Sequence, residues 1–288
     1  MDAETSVPNE RPYSQPVNML LSRGDPGRAA QWPDYLAMGL GPEQIPELIR
    51  MATDESLNNA PTESPEVWAP LHAWRTLGQM RAEAAVKPLL GLFQRADEQY
   101  DDWVLDDLPR AFGEIGSPAL EALSAYLAEQ NRAFGPRVAA AQSIREIGRR
   151  YVESQDACVA ALVQQLGKFA ANGAPLNGSL VSLLLDMRGV EAAPVIEHAF
   201  AAGQVDETVS GDWEDVQIQL GLKNKRDTPA RVASPFGFRN LSRSGETAST
   251  LKSSPFPDLK AIYKAQKKAR SEAKKAKWAR QLQRQRRK

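Results

Sequence analysis

At 288 residues, with 42% hydrophobic and 25% charged side chains, the chain has enough apolar mass to build a core, which excludes a wholly disordered protein. Lys and Arg number 36 and Asp and Glu 36, yet the signs are segregated: residues 1–221 carry 16 basic and 32 acidic groups, and residues 260–288 carry 13 basic groups and one acid, Glu272. A single cysteine, Cys158, excludes an internal disulfide and a Cys-rich zinc site and fits a reducing, cytoplasmic compartment. No 18-residue apolar run offers a transmembrane helix, and Met1 to Gln15 is polar with no secretory hydrophobic segment.

In chain order, residues 1–30 hold Pro8, Pro12, Pro16, Gly24, Pro26 and Gly27 among polar residues, a composition that predicts a loose N-terminal arm. From residue 31 to 222 apolar side chains recur at i, i+3, i+4 and i+7 with Ala and Leu dominant, which predicts an all-α body. Residues 223–257 are rich in Ser, Thr, Pro, Gly and Arg without periodicity and read as a disordered linker. Residues 258–288 contain neither Pro nor Gly and are dominated by Ala, Lys, Arg, Gln and Glu, which predicts a basic, partly helical tail.

Inside the body a 35-residue period stands out. Trp74-Arg75-Thr76-Leu77-Gly78 aligns with Pro109-Arg110-Ala111-Phe112-Gly113 and with Ile144-Arg145-Glu146-Ile147-Gly148. A fourth copy, Leu184-Leu185-Asp186-Met187-Arg188, comes two residues late with Leu185 at the glycine position, and a degenerate first copy sits at Tyr35-Leu36-Ala37-Met38-Gly39. Each is followed by a gap and a second apolar stretch, such as Val86/Leu89/Leu90. The unit is thus a helix, a tight turn and a second helix, and the glycines are expected to end the first helix in the left-handed conformation. A pair of this size cannot bury both faces alone, so neighbours must stack. The expected fold class is all-α, an α-solenoid of about five stacked helix pairs.

These residues resemble the HEAT-like repeat proteins, including the HEAT-like repeats of phycobilisome lyases. The likeness is carried by Ala73-Trp74-Arg75-Thr76-Leu77-Gly78 with Ala84-Ala85-Val86-Lys87-Pro88-Leu89-Leu90, and by Ala111-Phe112-Gly113-Glu114-Ile115-Gly116 with Ala119-Leu120-Glu121-Ala122-Leu123. Bacterial HEAT-repeat proteins of undefined activity are more similar still, through Ser64-Pro65-Glu66-Val67-Trp68-Ala69-Pro70-Leu71-His72-Ala73-Trp74-Arg75 and Gly211-Asp212-Trp213-Glu214-Asp215-Val216. The resemblance covers about residues 31–222 and implies scaffolds and adaptors or, alternatively, a bilin lyase or lyase accessory factor.

The common catalytic motifs for nucleotides, zinc proteolysis and serine hydrolysis do not occur, so no residue receives a catalytic, cofactor or metal role and no cofactor is expected. His72, between Trp68 and Trp74, and His198 read as packed or half-exposed histidines, and Cys158 as a buried thiol with no basic neighbour to activate it. The acidic run from Asp97 to Asp107 lacks the glycine of a cation loop; Asp101 and Asp102 suit the positive end of the helix that follows. Arg75, Arg110 and Arg145 share one repeat position. They either form a stripe for a partner protein or pair with Asp106, Asp107 and Glu146 as surface charges. Trp32, Trp68, Trp74 and Trp103 read as packing between repeats.

The tail crowds Lys264, Lys267, Lys268, Arg270, Lys274, Lys275, Lys277, Arg280, Arg284, Arg286, Arg287 and Lys288 onto a helix-prone stretch. It is either a solvated solubility tail or the footprint of a polyanion such as RNA or the ribosome; docking on the acidic body is a further option, and a membrane surface suits its small apolar side less well. The reading as a whole is a non-catalytic protein-interaction scaffold that binds another protein through the solenoid face and nucleic acid through the basic tail, with no membrane partner.

Overall fold

A computed structural model describes residues 12–27, 31–61, 63–99 and 101–229. Among these the secondary structure is entirely helical: thirteen α-helices and eight short 3-10 turns, with no strand. The helices are α1 (Ile45–Ala52), α2 (Glu55–Asn58), α3 (Ala69–Gln79), α4 (Val86–Gln99), α5 (Asp102–Ile115), α6 (Leu120–Ala128) and α7 (Phe134–Arg150), followed by α8 (Gln155–Leu166), α9 (Phe169–Asn172), α10 (Ala174–Asp186), α11 (Ala193–Ala201), α12 (Glu207–Ser210) and α13 (Trp213–Gln219). The same succession of helix, 3-10 turn and helix recurs with turns at Glu83–Ala85, Ser117–Ala119, Val152–Ser154 and Val190–Ala192. No helix among the described residues is long and apolar enough to cross a membrane. The chain forms two compact units, one reaching to Tyr126 and including Gln142–Gln155, the other made of Leu127–Ala141 and the residues from Asp156 onward.

In the first unit α3 is the centre. It packs on α1 and on α5, with further cover from the turns Val17–Ser22 and Pro65–Trp68, so every residue from Ala69 to Gly78 is buried. α1 offers Leu48, Met51 and Ala52, one face at i, i+3 and i+4. α4 lays Leu89, Phe93 and Ala96 against this core, and the Phe93 ring meets Phe112 of α5 at 5.6 Å and Tyr126 of α6 at 6.0 Å. The expected loose arm is corrected for residues 12–27: Val17 and Leu20 are fully buried, Tyr13 donates to Asp54 at 2.7 Å, and Ser14 is held by Glu47. Two apolar side chains at the right spacing supply what the average composition of the segment conceals.

The expected role of the glycines holds at Gly39, left-handed (φ 85°) after the turn Leu36–Met38, and is corrected at Gly78, Gly113 and Gly148. Gly78 and Gly113 lie inside α3 and α5, and the left-handed residue that ends the helix comes three positions later, at Arg81 (φ 52°) and Gly116 (φ 85°), with Arg188 (φ 55°) in the same place after α10. At Arg81 the chain closes with Arg81 N–H on the Gly78 carbonyl (2.8 Å) and Ala82 N–H on the Leu77 carbonyl (3.0 Å), the bond pair that satisfies a helix end. Gly78 and Gly113 serve close packing instead. A Cβ on Gly78 would stand 3.2 Å from Ala111 Cα and its carbonyl oxygen, and one on Gly113 would stand 2.7 Å from Glu146 Cβ.

The second unit is built around α10, buried from Leu176 to Leu185, with α9 and α12 packed on it and α11 against α13. Cys158, Val159, Leu162 and Leu166 of α8 are buried. α12 and α13 are capped by Asp206 and Asp212, the latter in a reciprocal box with Asp215. The disordered-linker expectation is corrected for residues 223–229. Arg226 forks onto Asp212 at 2.6 and 3.0 Å and reaches Asp215, while Glu214 accepts from Lys223, from Asp227 N–H (2.7 Å) and from Thr228. The Lys223 ammonium, first among these partners, holds the Glu214 carboxyl well below the usual carboxylate range.

Candidate functional site

The periodic arginines do not share one environment. Arg75, in the middle of α3, is 1% exposed, and it donates from Nη2 to Asp107 Oδ1 (2.7 Å) and from Nε to Asp107 Oδ2 (3.0 Å). Trp74 Nε1 donates to the same Oδ2 at 2.8 Å. Asp107 belongs to α5, where Arg110 follows one turn later on the same face. Arg110 is half-buried, and its guanidinium carbon lies 4.7 Å from the centre of the Trp32 ring; that of Arg75 lies 5.0 Å from the same centre. The structure thus brings Arg75 and Arg110 together on one indole, within reach of cation–π attraction. Arg145 does not join them: it pairs with its neighbour Glu146, part-exposed.

Trp32 is placed by a set of long-range bonds. Tyr35 N–H donates to Gln79 Oε1 (3.0 Å), and Gln79 Nε2 donates to the Pro33 carbonyl (2.8 Å), so the segment leading into Tyr35 is stitched to the end of α3. Below it His72, 2% exposed, stands between Tyr35 Oη at 2.7 Å from Nδ1 and the Gly24 carbonyl at 2.9 Å from Nε2. A carbonyl only accepts, so Nε2 carries the proton; Nδ1 of the neutral ring then accepts from the Tyr35 hydroxyl. Burial, with Arg23 and Arg75 nearby, pushes the His72 pKa down to about 4, and burial raises that of Tyr35.

The balance of donors and acceptors gives this cluster its chemistry. Asp107 is the acceptor for three N–H groups, whereas Arg75 Nη1 and Trp32 Nε1 are both buried with no hydrogen-bond partner. An unsatisfied buried donor costs about 1–3 kcal/mol, and two in one cluster mark a place short of acceptor oxygens. Nothing in it is a nucleophile or a base at neutral pH. Its surplus is of buried donors, not of acceptors.

Asp101, Trp68 and Trp103 have structural partners. Asp101 caps α5 by accepting from Trp103 N–H at 3.0 Å. Trp68 and Trp103 meet edge to face at 4.9 Å. Cys158 is fully buried and His198 is exposed in the last turn of α11. No group of three or more potential metal ligands occurs among the described residues. The tail residues Lys264 to Lys288 lie outside the described residues, as do residues 230–257. Tyr35 escapes a reading by motif because its partner His72 stands 37 positions away, and the pairing expected of Arg75 with Asp107 is found, but buried and not as a surface pair. Comparison with family models, with curated proteins and with solved structures finds no match.

Proposed function

We propose that the chain is a non-catalytic, cytoplasmic interaction scaffold, an α-solenoid of about five HEAT-like helix pairs whose ligand is another protein, with the basic tail adding contact to a polyanion such as RNA. The observation that carries the reading is the convergence of Arg75 and Arg110 on Trp32 with two buried donors left over. Such a surplus suits an acidic side chain of a partner, received by Arg110 and the indole while Arg75, locked on Asp107, holds the platform from behind.

The test is a titration of the full chain with a glutamate-rich peptide, read by fluorescence anisotropy. Arg110→Gln is expected to weaken binding roughly tenfold, the order of one charge-assisted contact, and Arg145→Gln to leave it unchanged. Equal losses in the two variants, or no binding by the parent chain, would overturn the reading.

A further inference from the structure

An asparagine followed by glycine is prone to lose ammonia, because glycine has no Cβ to keep its backbone nitrogen away from the carboxamide before it. The pair occurs twice, at Asn172-Gly173 and at Asn177-Gly178, and both fall in the second unit. The fold treats them oppositely. Asn177 is fully buried inside α10, and a Cβ on Gly178 would stand 2.8 Å from the Asp206 carbonyl oxygen, so that backbone is closely packed. Asn172 is the last residue of α9 and half-buried. Gly173 beyond it is exposed and left-handed at φ 83°, with nothing within 4 Å of where a Cβ would stand.

The bonding around Asn172 sets up the same reaction. The Gly173 N–H makes no hydrogen bond among the described residues, because the Phe169 carbonyl, four positions back, accepts from Asn177 Nδ2 at 2.9 Å instead. The carboxamide of Asn172 is fixed in one orientation. A carbonyl only accepts and a guanidinium only donates, so the atom 2.8 Å from the Gln165 carbonyl is Nδ2 and the atom 3.2 Å from Arg137 Nη2 is Oδ1. Gln165 Nε2 donates to the same Oδ1 at 2.6 Å. Arg137 and Gln165 are both buried, and Arg137 is anchored by its Nε on the Leu127 carbonyl at 2.9 Å. Two held donors, one of them charged, therefore meet the oxygen on which negative charge gathers when a nucleophile adds to Cγ.

We infer that Asn172 is a self-modification site, converted to aspartate or isoaspartate by the Gly173 backbone nitrogen with the assistance of Arg137 and Gln165. The Gly173 N–H, open to solvent, loses its proton to water, and its nitrogen forms a bond to Asn172 Cγ. Arg137 Nη2 and Gln165 Nε2 receive the charge that develops on Oδ1. The Cγ–Nδ2 bond then breaks, Nδ2 leaves as ammonia with a proton returned through water, and a succinimide ring remains. Water opens the ring, at Cγ to give aspartate or at the main-chain carbonyl to give isoaspartate; nothing is oxidised or reduced. In the aspartate product the new carboxylate pairs with Arg137. The donor that Nδ2 gave to the Gln165 carbonyl and to Asn177 Oδ1 (2.9 Å) is lost, so acceptors face acceptors and the hold of α9 on α10 weakens. The inference rests on a different unit and different residues from the scaffold reading.

The experiment incubates the full chain, folded in buffer and unfolded in urea, and follows residues 172 and 177 by mass spectrometry of their peptides, with isoaspartate separated from aspartate by chromatography. In urea the two Asn-Gly pairs should react at equal rates. In the folded chain Asn172 is expected to convert at least as fast as it does in urea, while Asn177 stays unchanged. Arg137→Met, which removes one donor to Oδ1, should slow the folded reaction at Asn172 roughly tenfold or more and leave the rate in urea as it was. A variant that fails to fold announces itself by reaction at Asn177, and the comparison of the folded and unfolded parent chain then decides. Slower conversion of Asn172 in the folded chain than in urea, or a folded Arg137→Met variant that reacts at the parent rate, would overturn the assignment.

Discussion

His72 couples the charge state of one ring to the stability of the fold. In the folded chain its pKa is about 4, against about 6.5 when unfolded, so between these values the unfolded chain binds the extra proton. Stability is therefore complete above about pH 6.5 and falls as the pH drops toward 4, by on the order of 3 kcal/mol over the whole window. Urea midpoints measured from pH 7 to pH 4.5 should show this slope, and His72→Gln should flatten it; parallel slopes in the two proteins would place the titration elsewhere. Asp107 makes a second demand. Replacing it with Asn leaves Arg75 buried and uncompensated, so Asp107→Asn should cost about 3–5 kcal/mol. Arg145→Ala, which removes a part-exposed pair, should cost at most about 1 kcal/mol in the same denaturation experiment.

Between elements the glycines decide how close two helices come. Gly113 in α5 and Gly91 in α4 are both helical, yet a Cβ on Gly113 meets Glu146 at 2.7 Å and one on Gly91 meets nothing within 4 Å. Gly113→Ala should force the helices apart and destabilise by about 1–3 kcal/mol. Gly91→Ala should stabilise by up to about 1 kcal/mol, since it removes only the backbone freedom of an exposed glycine in a helix. Melting temperatures that move in the same direction for both variants would show that helix propensity, not contact, governs the first site. The end of each helix follows another rule. Arg81 and Arg188 occupy the left-handed position where glycine is usual, and the two closing hydrogen bonds that each makes possible offset the strain.

For the molecule as a whole, segregated charge is the dominant feature. If the tail neutralises phosphates through roughly 6–10 of its basic groups, affinity for a generic RNA should fall on the order of a thousand-fold between 50 and 200 mM salt. The 16-charge acidic excess of residues 1–221 opposes an approaching polyanion, so the isolated peptide 258–288 should bind at least as tightly as the whole chain at low salt. Anisotropy across a salt series checks both, and a flat profile would mean that phosphate charge is not what is recognised.

Apolar residues at 3.6-residue spacing are a local property, and they were sufficient to determine an all-helical body and the recurrence of helix, turn and helix. The 35-residue step likewise marked Arg75, Gly78, Arg110 and Gly113 as related positions, and the charge segregation is visible without any structure. What each related residue does was decided only in three dimensions. Gly78 and Gly113 look like helix stops in the sequence because glycine often is one; their actual function depends on the backbone of a helix 33 positions further along the chain. Arg75 and Arg145 are equivalent in sequence, but Asp107 and the cover of α1 and α5 bury the first, while Glu146 leaves the second part-exposed. Trp32 reaches Arg75 and Arg110 where the bonds of Pro33 and Tyr35 to Gln79 tie the segment beside it to the end of α3. Helical periodicity reports which face of a helix is apolar but never which charge stands opposite.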